Sequence, residues 1–302
     1  MIKRAYLFII IGAALWGTIG WFVKNLYHFG FTPMEVVSLR AFSAAFILLG
    51  YMLVAARETL KLKHIFDIRY FIGTGIFSII FFNFCMFTTI ELASIPFATA
   101  LLYTGPAFVT IMSVFFFREK MNRYKLIALF FTFIGVCFVV GLIPIQLHTI
   151  QYTSLIYGIG SGFGYALYSI ISKFTLKKYT SLTITTYTFV VAAITLLPFF
   201  PFKEKLHLLI EPAVLFYSIG LGLLPTAFAY ILYTYGLHQA EASKASILTT
   251  IEPVVATLIG IFIFHDPFSL LQTVGMASII GAVILIQLPP TSIANRKNQG
   301  YS

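Results

Sequence analysis

Arg40 and Glu252 carry charge deep within long apolar runs, Arg40 six positions into one and Glu252 nine into another. A charge at the bilayer centre costs about 2.5–3.5 kcal/mol even on the lenient insertion scale, so such residues persist only where they have a task. Arginine stays protonated and presents a planar fork of donors that suits a carboxylate, whereas glutamate can gain and lose its proton. The two could form a structural charge pair, hold a charged substrate, or couple that substrate to protons. Trp16, Tyr103 and Tyr165 fall at similar depth in their own runs. Asn83 and Tyr230 occupy matching places in two further runs and are expected toward opposite mouths of a central space. Aromatic walls with one cation and one carboxylate suit a zwitterion, although each aromatic could equally be a packing residue. Tyr103 stands beside Gly105-Pro106 and Glu252 beside Pro253, where a proline removes a backbone hydrogen bond and opens the helix.

These residues must be held by membrane-embedded helices. With 59% hydrophobic and 10% charged residues in 302, the chain falls far below the quarter or so of charged residues in soluble domains. Runs of spanning length, roughly 17–25 residues, cover 5–23, 34–55, 70–89, 95–117, 125–143, 154–172, 182–200, 213–235, 243–264 and 268–288. They are too long for barrel strands, so the expected fold is an all-α polytopic membrane protein with ten transmembrane helices. A basic start at Lys3-Arg4 resembles a signal peptide, but more membrane follows and the first run is read as a retained span. Cys85 and Cys137 lie inside spans and read as packing residues.

The net charge of +10 is a matter of topology. Sixteen of the 20 Lys and Arg residues fall on the side of the N-terminus, three (Lys24, Lys203, Lys205) fall opposite, and Arg40 lies within a span. The positive-inside rule then puts both termini in the cytoplasm, in the cell membrane, with residues 291–302 as a cytoplasmic tail. No nucleic-acid partner is implied.

The chain also repeats itself. Residues 93–119 return as 240–266, with Ala93/Ala240, Leu101/Leu248, Pro106/Pro253, Thr110/Thr257 and Phe117/Phe264 among the identical pairs, and each copy closes on a carboxylate, Glu119 or Asp266. Trp16 and Lys24 echo in Tyr165 and Lys173 at an offset of 149. Five spans per unit turn the second copy over, giving two inverted five-helix repeats over residues 1–145 and 150–290. Inverted repeats are a recurring construction of secondary transporters, with substrate near the midplane at the repeat interface. Gly158-Ile159-Gly160-Ser161-Gly162 lies inside an apolar span and reads as a small-residue packing face rather than a phosphate loop.

The span running from Pro106 to Phe117-Arg118-Glu119-Lys120, its echo from Ile251-Glu252-Pro253 to Phe264-His265-Asp266, Trp16-Gly17 and Arg40 resemble the EamA branch of the drug/metabolite transporter superfamily, over about residues 7–288. The resemblance implies a cavity lined by the first four helices of each unit, with the fifth and tenth peripheral, and export of small metabolites. Amino acids or related compounds are the leading substrate class, and no cofactor is expected. A passive channel or a membrane-embedded enzyme is the alternative. An enzyme would need a nucleophile, base or metal cluster at one depth, and the histidines are scattered toward the predicted interfaces.

Overall fold

The computed structural model describes residues 2–142, 151–267 and 269–288. The expected tail at 291–302 and the ends of the runs at 143 and 268 lie outside them. Among the described residues the chain is all helix and turn, without strands. The long helices are α1 (Lys3–His28), α2 (Pro33–Ala55), α3 (Ile65–Leu92), α4 (Ile95–Phe117), α5 (Arg123–Val139), α6 (Tyr152–Thr175), α7 (Ser181–Phe199), α8 (Pro212–Gln239), α9 (Ala242–Phe264) and α10 (Leu270–Gln287). All but α5 are long and apolar enough to cross a membrane, which makes nine candidate spans among the described residues and a multi-pass membrane protein. α5 has 17 residues, about 26 Å of rise, slightly less than the roughly 30 Å hydrocarbon core. Large apolar side chains such as Phe46, Val54, Phe115 and Phe262 point out of the bundle, as a lipid-facing surface requires.

Helix starts are set by side-chain caps, and the caps recur at the repeat interval. Thr32 and Glu35 form a capping box ahead of α2, with Pro33 at the first helical position, and Thr180 caps α7 through Thr183 N. Asn122 caps α5 through Lys125 N, and Ser269 caps α10 through Gln272 N. Each cap satisfies an N–H that hydrocarbon could not. Helix ends repeat as well. α4 and α9 stop at Arg118 (φ 54°) and His265 (φ 56°), the two non-glycine residues with positive φ among those described. The following amides, Glu119 N and Asp266 N, donate back to Ser113 O and Gly260 O. This left-handed turn swings the Glu119 and Asp266 carboxylates off the helix axis.

Packing depends on small residues. The glycine-rich face of α6 does lie against α3 and α4: a Cβ at Gly158 would meet Leu101, at Gly162 Thr104, and at Gly164 Phe82. α5 and α10 pair through Gly135 and Gly275, each lying under the other's carbonyl. Ile279, on the expected peripheral tenth helix, is fully buried against Gly135, while Phe131 on α5 is exposed. A short amphipathic helix, Phe202–Leu209, joins α7 to α8, and its Lys205 bonds Gly30 O (2.6 Å) and pairs with Glu35 (3.4 Å).

A leucine at Gly135 would place its Cβ 2.8 Å from Gly275 O, where backbone must move. Gly135→Leu is expected to destabilise the chain by about 1–3 kcal/mol, seen as a lower melting temperature in detergent. Gly281→Leu, which meets nothing within 4 Å, should leave that temperature almost unchanged.

Candidate functional site

The long helices enclose a cavity of about 550 Å³. Trp16, Arg40, Asn83, Tyr103, Tyr165, Tyr230 and Glu252 all line it. Along α1 the lining runs from Trp16 to Tyr27, a depth of about 16 Å at helical rise. The cavity therefore opens at the end of α1 that carries Lys24. No lining residue of this cavity comes from α5 or α10, although Val139 and Gln272 of that pair line an adjoining opening that also reaches Tyr103 and Glu252, and none comes from α7, which was expected to take part. α7 instead packs its threonine-rich face inward behind α3, with Thr188 Oγ1 2.5 Å from Thr74 Oγ1.

Arg40 projects from α2 and is 8% exposed. Its Nε donates to Thr226 Oγ1 at 2.8 Å, and its guanidinium carbon stands 5.7 Å from the Tyr230 ring centroid. Thr226 can receive it because α8 widens into a π-helical segment, Leu223–Phe228, within which Thr226 Oγ1 donates to Leu221 O five residues back. Such insertions cluster at functional positions. α3 carries the counterpart, Gly73–Ile80. Thr226 was not singled out from the sequence, since a threonine in an apolar run gives no sign of a π-turn or of a distant arginine.

Glu252 sits at the start of the second half of α9. The helix breaks at Thr249-Thr250, as α4 breaks at Tyr103-Thr104. Both breaks come one turn before a proline, because Pro253 and Pro106 cannot donate to the carbonyls four residues earlier. Arg40 and Glu252 form no ion pair within 4 Å, so the expected direct charge pair is not made. They face the same cavity from different walls, and Arg40 is satisfied by Thr226 instead.

Aromatic rings make the floor. Trp16 lies edge-on to Tyr230 (5.0 Å between centroids) and Tyr165 (6.4 Å), and Tyr168 edge-on to Tyr230 (4.9 Å). Hydrogen bonds hold three of the rings: Tyr165 to Thr249 Oγ1 at 2.9 Å, Tyr168 to Thr234 at 2.8 Å and Tyr233 to Ser169 at 2.6 Å. Asn83 donates to Ile79 O at 2.7 Å. Asn83 and Tyr230 both line this cavity. Trp16 is 5% exposed and its Nε1 has no acceptor in the protein, which leaves a donor within the wall of the cavity. Cys85 and Cys137 are buried and unpaired.

Replacing Thr226 by valine keeps the volume and removes the acceptor of a buried charged donor. Thr226→Val is expected to cost about 1.5–3 kcal/mol, read as a drop in thermal stability of purified protein, whereas Thr226→Ser should restore most of it.

Comparison with known proteins gives the same picture at the level of family. The model of the EamA-like transporter family matches residues 3–141 and 153–288. An uncharacterized transporter of Archaeoglobus fulgidus is 30% identical over 92% of this chain and 94% of its own length. The uncharacterized inner membrane transporter YicL of Salmonella typhimurium is 23% identical over 95% of this chain and 96% of its own. A protein solved by crystallography superposes with a TM-score of 0.76 over 94% of this chain and 96% of its own, at 16% identity, a likeness of fold alone. With the family matching in both halves of a multi-pass helical bundle, the protein belongs to the EamA-like transporter family.

Proposed function

We propose that the protein is a secondary transporter that moves small metabolites by alternating access, built as ten spans in two inverted five-helix repeats, residues 1–145 and 150–290. The observation that carries this reading is the cavity itself. About 550 Å³ of space is walled by helices of both halves, and along α1 its lining is confined to the stretch from Trp16 to Tyr27. At the other end Ala242, Ser243, Ala245 and Ser246 of α9 are fully buried. A channel in its conducting state has no such closed end. The recurring caps, π-segments, proline breaks and left-handed helix ends support the two-repeat reading.

With both termini read as cytoplasmic from the basic side of the chain, the Lys24 end faces outward, and export is the direction that the family resemblance favours. Amino acids or related compounds are the substrate class that the walls favour. Arg40 meets a carboxylate, Glu252 meets an ammonium group, the rings take an apolar side chain, and Trp16 Nε1 offers a donor. Glu252 also serves proton coupling, since among these groups it is the one that can exchange a proton with the cavity.

Counterflow of labelled amino acids into sealed vesicles preloaded with unlabelled compound tests the transport reading, because a passive pore gives none. Glu252→Gln is expected to keep counterflow while abolishing stimulation by a proton gradient, and Arg40→Ala to weaken uptake of carboxylate-bearing substrates at least tenfold. An unchanged response of Glu252→Gln to the gradient would falsify the coupling role.

A further inference from the structure

The two ends of the bundle use equivalent repeat residues differently. At the shut end, Glu119 receives Ala242 N (2.6 Å), Ser243 N (3.2 Å) and the Ser243 hydroxyl, all at the start of α9. Lys125 braces it, with its ammonium 3.4 Å from Glu119 and 2.7 Å from Glu241. Beside it, Lys173 donates to the carbonyls of Leu237 (2.6 Å), His238 (3.3 Å) and Ala240 (2.5 Å), closing the last turn of α8. Fixing α9 by its first N–H groups and α8 by its last carbonyls seals the floor between them.

The counterparts at the other end stand apart. Asp266 is the repeat mate of Glu119, and Ile95-Pro96 of Ala242-Ser243. Asp266, Ile95 and Pro96 line a side opening of about 330 Å³ that also reaches Glu252. Lys24, the mate of Lys173, leaves the end of α3 and lies 3.7 Å from the Phe264 ring centroid, with Lys24 and Ile90 both on the cavity wall. Ile95 is 64% exposed where its mate Ala242 is 0%.

We infer that Glu119 with Lys173, and Asp266 with Lys24, are alternating latches of the two gates. In the opposite state Asp266 docks on the first turn of α4 and Lys24 on the last carbonyls of α3, while Glu119 and Lys173 let go. This inference rests on the transport reading and names the residues that hold each state. The latches are unequal. Pro96 has neither the N–H nor the hydroxyl that Ser243 gives Glu119, and Gln272 stands where Lys125 braces the other side. The shut end seen here is therefore the more strongly held one, and the resting protein is open at the Lys24 end.

Cysteine reporters at mated positions test this in detergent, where both ends meet water. Thr99 lines the open cavity and its mate Ser246 is fully buried. With a hydrophilic maleimide, Thr99→Cys should label rapidly and Ser246→Cys slowly, over the background of the unmodified chain. Adding Glu119→Gln or Lys173→Met should speed labelling of Ser246→Cys about tenfold, the population change expected from losing one charge-assisted hydrogen bond, and slow that of Thr99→Cys. Pro96→Ser, which strengthens the opposite latch, should act in the same direction. Should Glu119→Gln fail to give monodisperse protein, Lys173→Met and Pro96→Ser carry the test. Labelling of Ser246→Cys within twofold of its starting rate in the folded variants overturns the inference, even where counterflow stands. Switched labelling without counterflow of any amino acid leaves the latches in place and removes the proposed substrate class.

Discussion

Hydrocarbon offers no partner to a backbone N–H or carbonyl, so every departure from regular helix in this protein has to be satisfied within the chain. The departures are few and gather where the bundle opens or shuts. The α4 and α9 breaks before Pro106 and Pro253 border the cavity. The π-segment of α8 offers Thr226 to Arg40. The left-handed turns at Arg118 and His265 aim a carboxylate at each end of the bundle. Regular helix elsewhere serves as the rigid frame that holds these points in register.

Buried charge obeys the same rule. Arg40 is tolerated because a hydroxyl and an aromatic face stand against it, and Lys125, 1% exposed, because two glutamates do. The two cases differ in consequence. Lys125 sits in a closed network that ties α5 to α9, whereas Arg40 lines the cavity with its Nε on Thr226.

Close helix approach makes these contacts reachable. In the membrane, association depends on packing and hydrogen bonding rather than on the hydrophobic effect, and small residues let backbones meet. Gly135 against Gly275 and the glycines of α6 against α3 and α4 bring polar side chains of distant segments within bonding range. Without them, Tyr165 could not stand at the cavity wall with its hydroxyl on Thr249.

Much of this was written locally and could be read from the chain. The apolar runs, caps and prolines determine that there are long helices and where they start, because capping and backbone satisfaction act over three or four residues. The repeat at 147 positions marks Glu119 with Asp266 and Asn83 with Tyr230 as equivalent, and the depth of Arg40 and Glu252 marks them as cavity groups. The tertiary structure alone decided what these groups touch. Depth along a helix says nothing of the direction in which a side chain faces, so the choice of Thr226 over Glu252 as the partner of Arg40 depended on a π-turn 186 residues away. The exclusion of α7 from the cavity likewise followed from its packing behind α3. Which of the equivalent carboxylates is engaged is likewise a property of the whole bundle: Glu119 receives the first amides of α9, whereas Asp266 lines a side opening with Ile95 and Pro96.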